Sequence, residues 1–336
     1  MAFDALIGSE VLRERLAADV SEGKLSHAYI IEGAHGSGKR TLARELCAAL
    51  ACTDRESGRI PCGGCLACRK VYEGKCPDVI RIERGSKSSI GVDDVRFLRA
   101  DVLTPPNDLD SKIYIIEGAD TMTVQAQNAL LLTLEEPPSY VMFLLLCENA
   151  TALLETIRSR APKLTLCPVP TDEIRAYLTR AERAFASLSE AEREEILMIA
   201  NGSIGRAKEL LDAKERKPLL ARRALAAAFV EQRITKRDSA SALELLSSFG
   251  NKREDILPLL VDVQSALRDL MLLKRTEGAP LCFYTDREGA LSLCDRVSMQ
   301  SLLHLFEAVE STRKQLMRNA NVRLALTTLF LMNRGR

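Results

Sequence analysis

The stretch HAYIIEGAHGSGKRTLARELCAALAC, residues 27 to 52, constrains the fold more than any other part of the chain. A short apolar run ends at Gly33, a loop follows with Gly36, Gly38 and Lys39, and a helical pattern runs from Thr41 through Cys52. A strand feeding a helix in this way belongs to a parallel sheet, because the helix must carry the chain back before the next strand can start. The loop has its own chemistry. Glycines let successive backbone N–H groups turn inward on phosphate oxygens, the helix start adds its positive dipole end, and a lysine supplies charge near the β and γ phosphates. Gly33, Gly36, Gly38 and Lys39 are therefore candidate nucleotide-binding residues. The plainer alternative is a glycine-rich turn that holds no ligand.

One position breaks the pattern. A hydroxyl directly after the lysine is needed to hold magnesium, but Arg40 stands there and Thr41 comes one residue late, about 100° further round the helix. A second strand, KIYIIEGAD, occupies the place of the acidic residue that holds magnesium and the glutamate that orients the attacking water. Those two positions read Glu117 and Gly118. Glu117 keeps a carboxylate for a metal, whereas Gly118 has nothing with which to orient water. The pattern thus permits ATP or ADP binding, weakens it by removing a metal ligand, and argues against hydrolysis.

Further strands are expected at 77–83, 112–118 and 141–147, read together with 27–33 as buried central strands separated by turns such as TPPNDLDS. After residue 170 the β pattern stops. Three short amphipathic helices follow, with Thr171 and Ser189 as N-caps, and from about 216 everything is helical, including one long pattern from 299 to 332. With 336 residues of which 46% are hydrophobic, the chain has material for more than one core. The expected division is 1–170, α/β; 171–215, a small helical domain; and 216–336, all-α.

Lys plus Arg number 47 against 46 Asp plus Glu, which excludes a wholesale basic coat for nucleic acid while allowing a local basic face. With no tryptophan and only 4% aromatic residues, base-stacking platforms are disfavoured. The first residues lack a signal pattern and no apolar run reaches membrane-spanning length, so the cytoplasm is the expected location. Of the ten cysteines, Cys52, Cys62, Cys65 and Cys68 crowd into 17 positions, a spacing that fits one structural zinc held by four thiolates. Cys47 reads as core and Cys76 as a competing ligand, while Cys147, Cys167, Cys282 and Cys294 read as core. His27 and His35 read as incidental and His304 as part of a packed helix.

Taken in order, the phosphate loop, the four-cysteine module, NALLLTLEEPP (128–138) and TIRSRA (156–161) resemble the bacterial DNA polymerase III clamp loader, an AAA+ family. The resemblance implies a RecA-like AAA+ P-loop domain with a zinc module, a small helical lid and a C-terminal helical collar domain that packs in a pentamer. Gamma or tau and delta subunits, the beta sliding clamp and primed DNA are the implied partners. The defects at Arg40 and Gly118 resemble those of the family's non-hydrolysing subunit. Ser159 and Arg160 match a family motif whose arginine enters a neighbour's ATP site, although Ala161 replaces the motif's cysteine. Without the resemblance, Arg160 reads as a surface ion-pair residue. The resemblance also places Leu6, Ile7 and Gly8 at the adenine end of the site and Arg206 near the position of a second-sensor arginine. The rival readings are an ATP-hydrolysing gamma/tau-type subunit or other AAA+ ATPase, and a zinc-dependent nucleic-acid adaptor.

Overall fold

The computed structural model describes residue 3 and residues 5–54, 60–85, 89–235, 239–276 and 278–331. Residues 55–59 of the cysteine excursion and 332–336 of the last expected domain lie outside them. The chain forms two compact units, one of residues 1–177 with 202–206, the other of 178–201 with 207–336.

The first unit is a five-stranded parallel sheet of β1 (Ala28–Glu32), β2 (Val79–Ile82), β3 (Lys112–Glu117), β4 (Val141–Cys147) and β5 (Lys163–Thr165), in the order β2-β3-β4-β1-β5. Its helices are α1 (Glu10–Ser21), α2 (Lys39–Ala51), α3 (Leu66–Tyr72), α4 (Val92–Asp101), α5 (Val124–Glu135), α6 (Glu155–Arg158) and the start of α7 (Thr171–Ala181). Alternate side chains of each strand enter different cores. Tyr29, Ile31, Leu144 and Leu146 pack with Leu42 and Leu46 of α2, while Ile30, Phe143 and Leu145 pack with Val95 and Leu98 of α4 and Leu130 of α5. Burial on both faces explains why β4 is apolar throughout. The RecA-like α/β class and the helical C-terminal region agree with expectation.

Not every strand is central. β2 is an edge strand, with Arg81 exposed and Val79 and Ile80 only partly covered. Register aligns Glu32 of β1 with Cys147 and Glu117 of β3 with Leu146, so the carboxyl ends of three neighbouring strands share one rim. Ligands of open parallel sheets bind at this kind of rim.

The second unit is helical. It holds α8 (Arg183–Ala186), α9 (Glu190–Ala200), the end of α10 (Ile204–Glu209), α11 (Ala213–Thr235), α12 (Ser239–Ser248), α13 (Arg253–Leu273), α14 (Arg287–Asp295), α15 (Met299–Met317) and α16 (Val322–Leu331). Phe229, Phe249 and Phe330 meet at centroid distances of 4.8 to 6.1 Å in its core. Ser189 caps α9 in a capping box with Glu192, as expected. Thr171 instead opens α7 as a helical residue, with the Pro170 carbonyl accepting from Glu173 and Ile174. The long C-terminal pattern is two helices, broken where Asn319 takes a left-handed φ of 67°. The boundaries near 170 and 215 remain a proposal from the sequence. No helix among the described residues is long and apolar enough to cross a membrane.

Asp78, fully buried just before β2, accepts the backbone N–H groups of Asn107, Asp108 and Leu109 at 2.7, 2.6 and 2.9 Å, pinning the turn that leads into β3. Burial alone would raise its pKa, but the three amides outweigh it and hold the carboxyl below its ordinary range. Asp78→Ala should cost about 2–3 kcal/mol in urea unfolding at neutral pH. A depressed folded pKa gives stability that is present above the unfolded value, about 3.9, and lost as pH falls through the folded value. The difference between variant and wild type should therefore shrink below about pH 4.

Candidate functional site

The phosphate loop follows the carboxyl end of β1 and is held by its carbonyls. Lys39 Nζ donates to the carbonyls of Gly33 and Ala34 at 2.7 and 2.8 Å. Ser203 Oγ donates to the His35 carbonyl at 2.8 Å, and the Gly205 N–H to the Gly36 carbonyl at 2.9 Å. Gly36 and Gly38 have φ values of 70° and 100°, left-handed conformations that glycine adopts at no steric cost. The residue 202–206 segment lies directly on the loop. A Cβ added at Gly36 would sit 2.5 Å from Arg206 N, and one added at Gly205 would sit 2.7 Å from the Gly36 Cα. Burial lowers the Lys39 pKa, a shift opposed by the nearby Glu148 and Asp120 carboxylates.

The two irregular positions meet at the same rim. Arg40 Nε donates to Glu117 Oε2 at 2.6 Å, and its Nη2 lies 2.5 Å from the same oxygen. Gly118 follows Glu117 with a φ of 72° and no side chain. Asp120 accepts the N–H groups of Glu148 and Asn149 at 3.0 and 3.2 Å, fixing the chain that leaves β4. Glu32 accepts from the Ala150 N–H and from Lys163 Nζ, both at 2.8 Å, and its pKa is lowered first by the lysine and then by the amide.

Leu6 is buried, and its Cδ1 would lie 3.2 Å from a Cβ on Gly38. Ile7 and Gly8 are partly exposed, and Gly8 approaches Val169. Arg206 lies at the start of α10, and Ser203 and the Gly205 backbone bond to the loop. Arg160 follows α6 and is half-buried. Its Nη2 lies 2.7 Å from Glu135 Oε1 at the end of α5, and its Nη1 donates to the Thr156 carbonyl at 2.9 Å.

Away from the rim, the Sγ atoms of Cys52, Cys62, Cys65 and Cys68 all lie within 4.8 Å of one another. A tetrahedral zinc with Zn–S bonds near 2.3 Å needs sulfurs about 3.8 Å apart, so the set fits that ion. The backbone supports it: the N–H of Cys62 points to Cys52 Sγ at 3.4 Å, that of Cys65 to Cys62 Sγ at 3.3 Å, and that of Cys68 to Cys65 Sγ at 3.4 Å. Burial would raise the Cys65 thiol, but hydrogen bonds from Cys68 and Thr53 draw it down to about 5. Four thiolates would close the coordination shell, the arrangement of a structural site.

Two family profiles, described as DNA polymerase III, delta subunit, and DNA polymerase III, delta subunit, C terminal, match residues 8–170 and 218–333. The chain belongs to the DNA polymerase III clamp-loader family. The tau subunit of DNA polymerase III from Bacillus subtilis (strain 168) is 26% identical over 329 residues, covering 94% of this clamp-loader chain and 58% of tau. The Escherichia coli (strain K12) tau subunit is 36% identical over 178 residues, 52% of this chain and 27% of tau. The chain thus spans less than two thirds of either relative's length. A crystal structure of a gamma subunit-related protein from Thermotoga maritima aligns over 94% of this chain and 96% of its own, at 19% identity and a TM-score of 0.47.

Several expectations for this clamp-loader chain need correction. Cys76 is buried outside the four-cysteine set, Cys167 is exposed in the segment after β5, and Cys282 is only partly covered. His304 is exposed on α15 rather than packed. His27 Nε2 lies 3.2 Å from the Leu134 carbonyl, and His35 lies 3.9 Å from Glu148. Ser203, Gly205 and Glu135 carry contacts that the motif reading missed. Their only sequence signals were a run of small residues, GSIG, and the acidic pair in LEEPP. Metal analysis should return about one zinc per chain. Cys65→Ser should lose that metal to a chelator concentration that leaves the wild-type site filled, read by released zinc.

Proposed function

We propose that this chain is the delta-prime type of subunit of the bacterial DNA polymerase III clamp loader, a cytoplasmic component that assists loading without hydrolysing ATP itself. The observation that carries the reading is the Arg40–Glu117 ion pair, which joins the two places where a hydrolysing phosphate-loop enzyme anchors magnesium. Gly118 adds a second loss, the side chain that would orient water. In this role the chain works with gamma or tau and delta subunits to open the beta sliding clamp and place it on primed DNA. The 1–170 α/β domain, 171–215 lid and 216–336 collar then serve as parts of a ring, and the four cysteines staple the first with zinc.

Arg160 is the group this subunit lends. A guanidinium aimed at a neighbour's γ-phosphate stabilises transition-state charge, an effect of about 10³ to 10⁵ in rate in comparable systems. Its pair with Glu135 is what the plain surface-pair reading of Arg160 expects, and the finger reading requires the guanidinium to exchange that carboxylate for the neighbour's phosphate. The second reading is an ATP-hydrolysing gamma/tau-type subunit, supported by the retained Gly33, Gly36, Gly38 and Lys39 and by similarity to proteins named tau. Arg40 and Gly118 weigh against it.

The purified chain should show no ATP turnover above background, and turnover at the rate of an ordinary AAA+ ATPase would remove the assignment. In a loader reconstituted with candidate gamma or tau and delta subunits, Arg160→Ala should leave assembly intact. It should cut turnover at the one site it serves by about 10³-fold or more, which appears as loss of that site's share of the total rate. An unchanged total rate would count against the finger.

A further inference from the structure

The departure at Arg40 has a geometry that goes beyond the loss of hydrolysis. In a magnesium-using phosphate loop, the hydroxyl after the lysine and the acid at the end of a neighbouring strand are the metal's protein anchors. Here the first is a guanidinium and the second is its counter-ion. Arg40 reaches from the first turn of α2 past the end of β4 to Glu117 at the end of β3. The Glu117 side chain is 10% exposed and the Arg40 side chain 76% exposed, so the carboxylate is the fixed partner and the cation faces outward. An arginine cannot shed its proton to make room for a divalent ion. A cation approaching Glu117 therefore meets a permanent positive charge.

The loop beside this pair is built to receive an anion. Its carbonyls from Gly33 to Gly36 are all engaged, two by Lys39 and two by Ser203 and Gly205, which keeps the carbonyl oxygens away from an incoming phosphate. The Gly33 and Ser37 N–H groups donate to the Cys147 and Ala34 carbonyls, so what faces a phosphate is the start of a helix 13 residues long and a guanidinium with donors to spare. Electrostatically, a phosphate chain finds Lys39 and Arg40 where other loops supply Lys and Mg²⁺.

We propose that this phosphate loop takes a nucleoside di- or triphosphate without a divalent cation, the Arg40 guanidinium standing in for the metal on the phosphate chain and Glu117 holding it in place. The inference rests on the reading of residues 33–41 as a phosphate site. No bond is made or broken in it, and the ligand is a bound nucleotide rather than a consumed one. Because one positive charge replaces two, binding is weaker than at a metal-assisted loop and falls with added salt.

The test is titration of the full chain with fluorescently labelled ADP and ATP in excess EDTA and in excess magnesium. Wild type should give dissociation constants that agree within about threefold between the two buffers. Arg40→Ser supplies a hydroxyl and frees Glu117, rebuilding the metal anchors. It should bind at least about tenfold more weakly in EDTA than in magnesium. Arg40 is largely exposed, so the exchange is borne by the fold, and far-ultraviolet circular dichroism checks this. Lys39→Ala should lose binding in both buffers. Loss of wild-type binding in EDTA, indifference of Arg40→Ser to magnesium, or no binding in either buffer would each overturn the proposal. None of these results touches the non-hydrolysing assignment, which stands or falls on ATP turnover.

Discussion

The orientation of four consecutive carbonyls, Gly33 to Gly36, governs the chemistry of the first unit. Each peptide plane has two polar ends, so committing the oxygens to Lys39, Ser203 and Gly205 decides where the N–H groups can point. Lys39 has two duties as a result: it braces the loop it belongs to, and it carries the positive charge. Its partial burial, with Glu148 and Asp120 nearby, sets a balance between desolvation and attraction. The sheet supplies the frame. Parallel registration brings the ends of β1, β4 and β3 to one rim, and groups from residues 32 to 149 meet there although the sequence scatters them.

Binding and hydrolysis make separable demands on such a rim. Holding a phosphate needs N–H groups and fixed positive charge, both of which this chain keeps in the proposed reading. Cleaving it needs a metal held in line and a carboxylate that orients water. In the proposed reading, the Arg40–Glu117 pair removes the first and Gly118 the second. A guanidinium is planar and directional, so the proposed exchange also trades an adaptable ion for a group with preset donors.

The strands were legible because the physics that forms them is local. β4 coincides with the apolar run 141–147, since burial on both faces demands apolar residues throughout. Its neighbour β1 fell within 27–33 for the same reason. β2 was read as central and is an edge, because strand order is decided by which segments pair across the sheet, and a four-residue run such as VIRI carries little trace of that. The break at Asn319 was hidden by a hydrophobic period that continues on both sides of it. In the site, Arg40 and Glu117 were each visible as irregular, but their bond spans 77 positions and belongs to the fold. The same holds for Glu135 with Arg160, and for Ser203 and Gly205 on the loop. The four cysteines were the reverse case, since tight spacing nearly dictates proximity.

Gly36 and Gly205 touch through bare backbone, with no volume between them for even a methyl group. The two positions therefore act as a single steric lock. A side chain on either would wedge residues 202–206 off the loop and release the His35 and Gly36 carbonyls, while Lys39 keeps those of Gly33 and Ala34. Substitution at a residue more than 160 positions downstream would thus undo half of the loop's carbonyl bracing with the loop's own sequence unchanged.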